Sequence, residues 1–169
     1  ELHCKMDVLK SLHDVVISAG EKNGIRHFGT YALNSLRMEK GYKAWGSELT
    51  TEVSLVEADM LRFARPSGGY LGSKAVDKKK KVGASVHLVY CEVEANVDPI
   101  GNEPVYDGTT IIGVTTSGAY GHCVGKCLAF AYVDSGFESP GTSIEISILG
   151  ERRKAIVLDV AACDPSNKR

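Results

Sequence analysis

The sequence predicts an α+β protein: helices first, then a small antiparallel β-barrel or sandwich. Three observations carry that prediction. Apolar residues near the start recur at helical spacing, at Met6, Leu9, Leu12, Val15, Val16 and Ala19. From Val82 onward the pattern changes to short runs of β-forming residues with alternating polarity. Glycines then mark turns between the runs, with Asp107-Gly108 as a hairpin signal.

Residues 5–20 read as an amphipathic helix, with Gly20 and Gly24 as stop signals. Gly29 precedes a second helical stretch through about Arg37, and Gly41 breaks it. Leu33, Leu36 and Met38 are expected to form its apolar stripe, with Arg37 and Glu39 leaving on other faces. Between Gly46 and Phe63 the chain reads as an irregular connection exposing Glu48, Glu52, Glu57 and Asp59. Pro66-Ser67-Gly68-Gly69 is a turn and a domain boundary. Tyr70–Val76 reads as a short helix ending in the basic run Asp77-Lys78-Lys79-Lys80-Lys81. Strand candidates follow at 84–93, 104–106, 110–115, 127–133, 143–149 and 154–160, with glycines at 113, 118, 121, 125, 136, 141 and 150 punctuating them.

With 169 residues, 43% hydrophobic and 24% charged, the chain has the material for one good core. A net charge of -1 offers no general attraction to nucleic acid or to an anionic membrane surface. The lysine run is short and lacks interleaved aromatics, so it reads as a solvated helix end. No apolar run approaches the roughly 20 residues that span a bilayer. The start at Glu1 has neither a methionine nor the apolar core of a signal peptide, and suggests a chain processed or cut from something longer.

The five cysteines, at 4, 91, 123, 127 and 163, are odd in number and do not space as a disulfide framework. Cys123 and Cys127, beside His122, form a CxxxC pair, but no second Cys/His cluster completes four ligands. Reduced thiols and no metal site are expected. His13, His27, His87 and His122 are scattered, and no phosphate loop, HExxH or GxSxG motif is present. Chemistry alone singles out Arg37, between packed apolar residues and close to the only tryptophan, Trp45. It reads either as an anchor for a carboxylate or as half of an ion pair, with Glu39 or another acid, that ties two segments together.

Longer stretches carry a resemblance. Phe28-Gly29-Thr30-Tyr31-Ala32-Leu33-Asn34-Ser35-Leu36-Arg37-Met38-Glu39-Lys40 and Ala44-Trp45-Gly46-Ser47-Glu48 are two of them. The others are Asn96–Glu103, Thr115–Tyr120, Leu128–Val133 and Gly141-Thr142 through Glu145–Gly150 to Asp164-Pro165. Together they resemble, in register along the whole chain, the dimethylglycine and sarcosine dehydrogenase-like branch of the glycine-cleavage T-protein (aminomethyltransferase) superfamily.

The resemblance implies residues 1–65 as the end of a folate-binding domain, 66–81 as a linker with a short helix, and 82–169 as a Greek-key carboxy-terminal barrel. It implies tetrahydrofolate as cofactor, with FAD and the catalytic aspartate in a missing amino-terminal part, so no catalytic residue lies in this chain. A small N-methyl amine is the implied substrate, and this piece alone is expected not to turn it over. Glu1 falls on the family's pterin-binding glutamate, followed by Leu2 and by His3, where relatives often carry tyrosine. Arg37 falls on an arginine placed against the folate, which favours the ligand role. Arg62 stands where an aromatic folate contact is usual, and Arg169 on a late basic position near the folate tail. Leu55 and Asp59 stand where the family usually has proline and glycine.

Two alternatives share the superfamily: an aminomethyltransferase drawing its one-carbon unit from a lipoyl carrier, and a non-catalytic regulatory relative. The expected compartment is the cytoplasm for a bacterial protein and the mitochondrial matrix for a eukaryotic one. The apolar face of the helix at 5–20 is expected to need the missing region or a partner chain.

Overall fold

The computed structural model describes residues 1–94 and 96–168. The chain separates into two compact units, Glu1–Ala32 and Leu33–Arg169. Three α-helices precede six strands: α1 (Leu9–Gly20), α2 (Thr30–Glu39), α3 (Ser73–Val82), β1 (Val86–Val93), β2 (Pro104–Asp107), β3 (Thr110–Gly121), β4 (Lys126–Asp134), β5 (Ser143–Ile148) and β6 (Glu151–Val157).

In the first unit, 3₁₀ turns flank α1, and Gly24 closes the helical segment in the left-handed conformation, at φ 72°. That is where a residue without Cβ is cheapest. No residue of α1 is buried, and Met6 and Val15 are 83% and 65% exposed. The apolar periodicity is real, and within these residues nothing covers it.

In the second unit the six strands close into an antiparallel barrel in the order β1-β4-β3-β2-β5-β6. The expected barrel is confirmed and the sandwich set aside. β2, β3 and β4 follow one another as hairpins and β1 lies beside β4, which is the Greek-key arrangement. β1 also pairs with β6, with Cys91 opposite Val157, so the barrel has no free edge. Its interior is filled by Val89, Val105, Ile112, Ala131, Ile146 and Val157, among others.

β4 is the most buried strand, because both of its faces are covered. Cys127, Ala129, Ala131 and Val133 point into the barrel. Leu128 and Phe130 point outward onto Leu88 and Met38 of α2. A strand buried on two faces reads as a continuous apolar run rather than an alternating one.

Several expectations need correction. The buried face of α2 is Ser35, Met38 and Glu39, whereas Leu33 and Leu36 are 54% and 49% exposed. Glu39 is buried because its Oε1 accepts the Cys123 N–H at 2.6 Å at the β3–β4 turn. α3 begins later than expected and carries the whole lysine run. β3 runs on through Gly113 and Gly118, which are not turn residues there. A Cβ on Gly118 would strike Pro99, and one on Gly113 would strike the Tyr132 carbonyl oxygen. These glycines permit close approach inside a strand. Among the described residues, no helix is long and apolar enough to cross a membrane.

Candidate functional site

α2 is fixed to the barrel by its polar residues. Asn34 Nδ2 donates to the Gly118 carbonyl at 3.1 Å, and Ser35 Oγ to that of Tyr120 at 2.7 Å. Tyr90 OH donates to the Met38 carbonyl at 2.7 Å. Burial is the main reason its hydroxyl pKa is pushed up to about 12. This frame sets where Arg37 stands, on the same side of the helix as exposed Leu33, four residues earlier.

The Arg37 guanidinium is largely committed. Its Nε donates to Asn34 Oδ1 at 2.8 Å. Its Nη1 donates to the Tyr42 carbonyl at 3.2 Å and to Glu48 Oε2 at 2.8 Å. The pairing acid is therefore Glu48 and not Glu39. The Arg37 side chain keeps 15% of its surface exposed, while that of Glu48 has none. Glu48 was expected to be exposed; it is instead among the most buried side chains of the chain. A tight turn swings it inward: Leu49 N–H donates to the Ala44 carbonyl, Gly46 N–H donates to that of Leu49, and Gly46 adopts φ 90°.

Inside, Glu48 meets four donors. Oε2 accepts the Ala44 N–H at 2.8 Å in addition to Arg37. Oε1 accepts Thr116 Oγ1 at 2.7 Å and Ser117 Oγ at 2.5 Å. Successive strand residues normally point to opposite faces. Here the β3–β4 register shifts between Thr115 and Ser117, a bulge that turns both hydroxyls onto one oxygen. Tyr132 OH on β4 donates to the Glu48 carbonyl at 2.8 Å. Its hydroxyl is pushed up to about 12 by burial first and then by the Glu48 and Glu57 carboxylates.

Glu57 was also expected to be exposed and is buried. Its Oε1 pairs with Lys79 Nζ of α3 at 2.6 Å, and its Oε2 accepts the Ser54 hydroxyl and N–H. Burial opposes its ionisation, yet Lys79 and Ser54 outweigh burial and hold the pKa at about 2. Asp59, which is exposed as expected, sits at φ 50°. Aspartate tolerates this left-handed region better than most residues. Lys43 Nζ ties the loop down, donating to the Ala58 carbonyl at 2.7 Å and to Asp59 O and Oδ2 at 2.8 and 3.1 Å. Burial is the first cause of the lowered Lys43 pKa; Asp59 opposes the shift, and Arg62 adds to it.

Arg62 is exposed, its guanidinium 4.9 Å from the centre of the Phe63 ring. It lines a groove of about 460 Å3 with Lys40, Tyr42, Tyr90, Leu158 and Asp164. Lys40 Nζ closes one side by donating to Asp164 O and Oδ2 at 2.7 and 3.2 Å. Glu1, Leu2 and His3 lie exposed in the first unit, with His3 Nε2 3.3 Å from Glu1 Oε2. Arg169 lies outside the described residues. Arg37 and Arg62 thus fall in one unit, and Lys43 feels the charge of both Arg62 and Glu48.

Sequence reasoning missed Glu48, Lys43, Thr116, Ser117 and Tyr132. The one available signal was an acid two residues after a glycine, in Trp45-Gly46-Ser47-Glu48. Cys91 and Cys127 face the barrel interior, and burial pushes both thiols up to about 12. Cys123 is exposed, so the CxxxC pair does not converge on one point.

Comparison with known proteins adds two family matches. Residues 1–67 match the GCVT N-terminal domain, and 87–164 the glycine cleavage T-protein C-terminal barrel domain. The chain belongs to the aminomethyltransferase superfamily. Human mitochondrial dimethylglycine dehydrogenase is 33% identical to it over 174 residues, covering 100% of this chain and 20% of that protein. The mouse protein of the same name is 36% identical over 161 residues, covering 94% and 18%. The aminomethyltransferase of Bacillus mycoides (strain KBAB4) is 29% identical over 160 residues, covering 94% and 44%. A crystal structure of glycine cleavage system aminomethyltransferase T from Bartonella henselae shares the fold, with a TM-score of 0.83 at 20% identity, over 94% of this chain and 45% of that one. This superfamily member thus spans between 18% and 45% of the length of these relatives.

Proposed function

We propose that the chain is the tetrahydrofolate-binding portion of an FAD-dependent N-methylglycine dehydrogenase, acting on dimethylglycine or sarcosine and passing the one-carbon unit to tetrahydrofolate. The observation that carries this reading is the 33% to 36% identity with dimethylglycine dehydrogenases along nearly the whole chain. FAD, held outside these residues, supplies the two-electron oxidation of the N-methyl group, and tetrahydrofolate supplies the amine that takes up the carbon.

The chain's own residues bind and orient. Glu1, an acceptor-only group, takes the amino and ring N–H groups of the pterin, with Leu2 and His3 beside it. Arg37 fits as a single-edge donor, since Nε and Nη1 are engaged and only the Nη2 side remains for a ligand. A two-oxygen grip on a carboxylate is not what such an arginine offers. Arg62, exposed on its ring, and Arg169 fit the folate tail. The amino-terminal region or a partner chain completes the enzyme. The compartment is the cytoplasm in a bacterium and the mitochondrial matrix in a eukaryote.

The runner-up is an aminomethyltransferase fed by a lipoyl carrier, favoured by the 44% length match to the Bacillus enzyme. The absorbance spectrum of the intact protein separates the two: bound flavin supports the dehydrogenase, and its absence favours the transferase. Titration calorimetry tests the folate step. Tetrahydrofolate is expected to bind the intact protein and to bind Arg37→Ala at least about tenfold more weakly. Failure to bind the unaltered protein sinks the reading.

A further inference from the structure

We infer that Glu48 and the β3 bulge act as a positioning device for Arg37, so that the barrel sets the ligand affinity of an arginine on the helix. The inference rests on the folate reading of Arg37. Three observations support it. The Glu48 side chain has no exposed surface, yet it reaches Arg37 at 2.8 Å. Its other oxygen is held by Thr116 and Ser117, whose convergence requires the register shift in β3. Its own backbone carbonyl is pinned by Tyr132 OH on the next strand.

A solvent-exposed counter-ion needs no such cradle. A carboxylate buried as Glu48 is does need one, and the donors that satisfy it also fix where it holds Arg37. Long ion-pair partners ordinarily keep rotamer freedom and contribute little. Here the carboxylate is locked on both oxygens. Arg37, locked in turn through Nε and Nη1, presents the remaining edge of its guanidinium in one orientation. An orientation set before binding removes the ordering cost that a free arginine side chain would incur on meeting its ligand. The Glu48 cradle lies behind Arg37, and Thr116 and Ser117 touch the arginine only through Glu48. They are positioning residues.

The test uses the intact protein with Thr116→Val and Ser117→Ala, which leave Arg37 and Glu48 in place, each alone and combined with Arg37→Lys. Tetrahydrofolate affinity is measured by calorimetry and stability by thermal melting. Each hydroxyl variant is expected to weaken tetrahydrofolate binding about three- to tenfold. In the Arg37→Lys background the same substitutions are expected to change affinity by less than about twofold, because the device has nothing left to aim. The exchange rate of the Arg37 Nε–H, followed by NMR without ligand, is expected to rise in both single variants.

Lowered melting temperature with unchanged affinity and unchanged Nε–H exchange overturns the inference and leaves a structural network. Equal losses of affinity in both backgrounds overturn it as well. If the unaltered protein binds no tetrahydrofolate, the folate reading falls and this inference with it. Binding by the unaltered protein with indifferent variants sinks the inference alone.

Discussion

Glu57 is a residue whose charge the fold needs. Its pKa of about 2 lies below the usual 4.5, so the folded state prefers the ionised form. That preference is fully present above about pH 4.5 and fades as pH falls toward 2. Acid unfolding of the wild type is expected to steepen across this window. Glu57→Gln should flatten the slope and cost about 2 kcal/mol at neutral pH, read from urea midpoints at several pH values. Asp59 makes a second case at this scale. Its positive φ is a conformation that glycine adopts without steric cost, and its link to Lys43 is what aspartate adds. Asp59→Ala keeps the strain and loses the link, at an expected cost of about 1–2 kcal/mol. Asp59→Gly should cost less, and thermal melting of both variants orders them. Arg37 was legible because its type and setting suited an ion pair or an anchor. Glu48 was not, since five polar or charged neighbours, from Ala44 N–H to Tyr132, reach it from loop and barrel, and sequence shows none of that convergence.

At the scale of elements, α1, α2 and the six strands follow from period and punctuation, and they formed near where the pattern put them. Where reading failed, tertiary contact had overridden a local signal. Gly113 and Gly118 look like turns, but each accommodates backbone or proline approaching an unbroken β3. Gly118→Ala is expected to destabilise the protein by about 2–3 kcal/mol through collision with Pro99, seen as a lower urea midpoint. The stripe on α2 misled because the helix buries serine and glutamate, whose partners are main-chain groups of the barrel. β4 was legible as a strand, though not as one covered on both faces. Phe130→Ala, on the α2 side, should cost about 3–5 kcal/mol in equilibrium unfolding.

For the molecule as a whole, the division into helices followed by a barrel was legible, and the ligand was not. Residues 1–32 carry a helix with an apolar face that these residues leave in water. The isolated chain is therefore expected to bind a hydrophobic dye and to elute in size-exclusion chromatography as an associated species. Met6→Glu with Val15→Lys should return it to a monomer. A dye-free monomer of the unaltered chain would refute this.

The pairing of β1 with β6 has one more consequence. Because the first and last strands are neighbours, the chain enters the barrel at Val86 and leaves at Val157, opposite Cys91, only about 17 Å along the same strand. What precedes the barrel docks on its outside, α2 through Asn34 and Ser35 and the loop through Glu48, so the two make one module. Gene fusion can then set it behind bodies of different size without rebuilding its interior. The same pair of segments makes up 20% of one relative and 44% of another, as that portability requires.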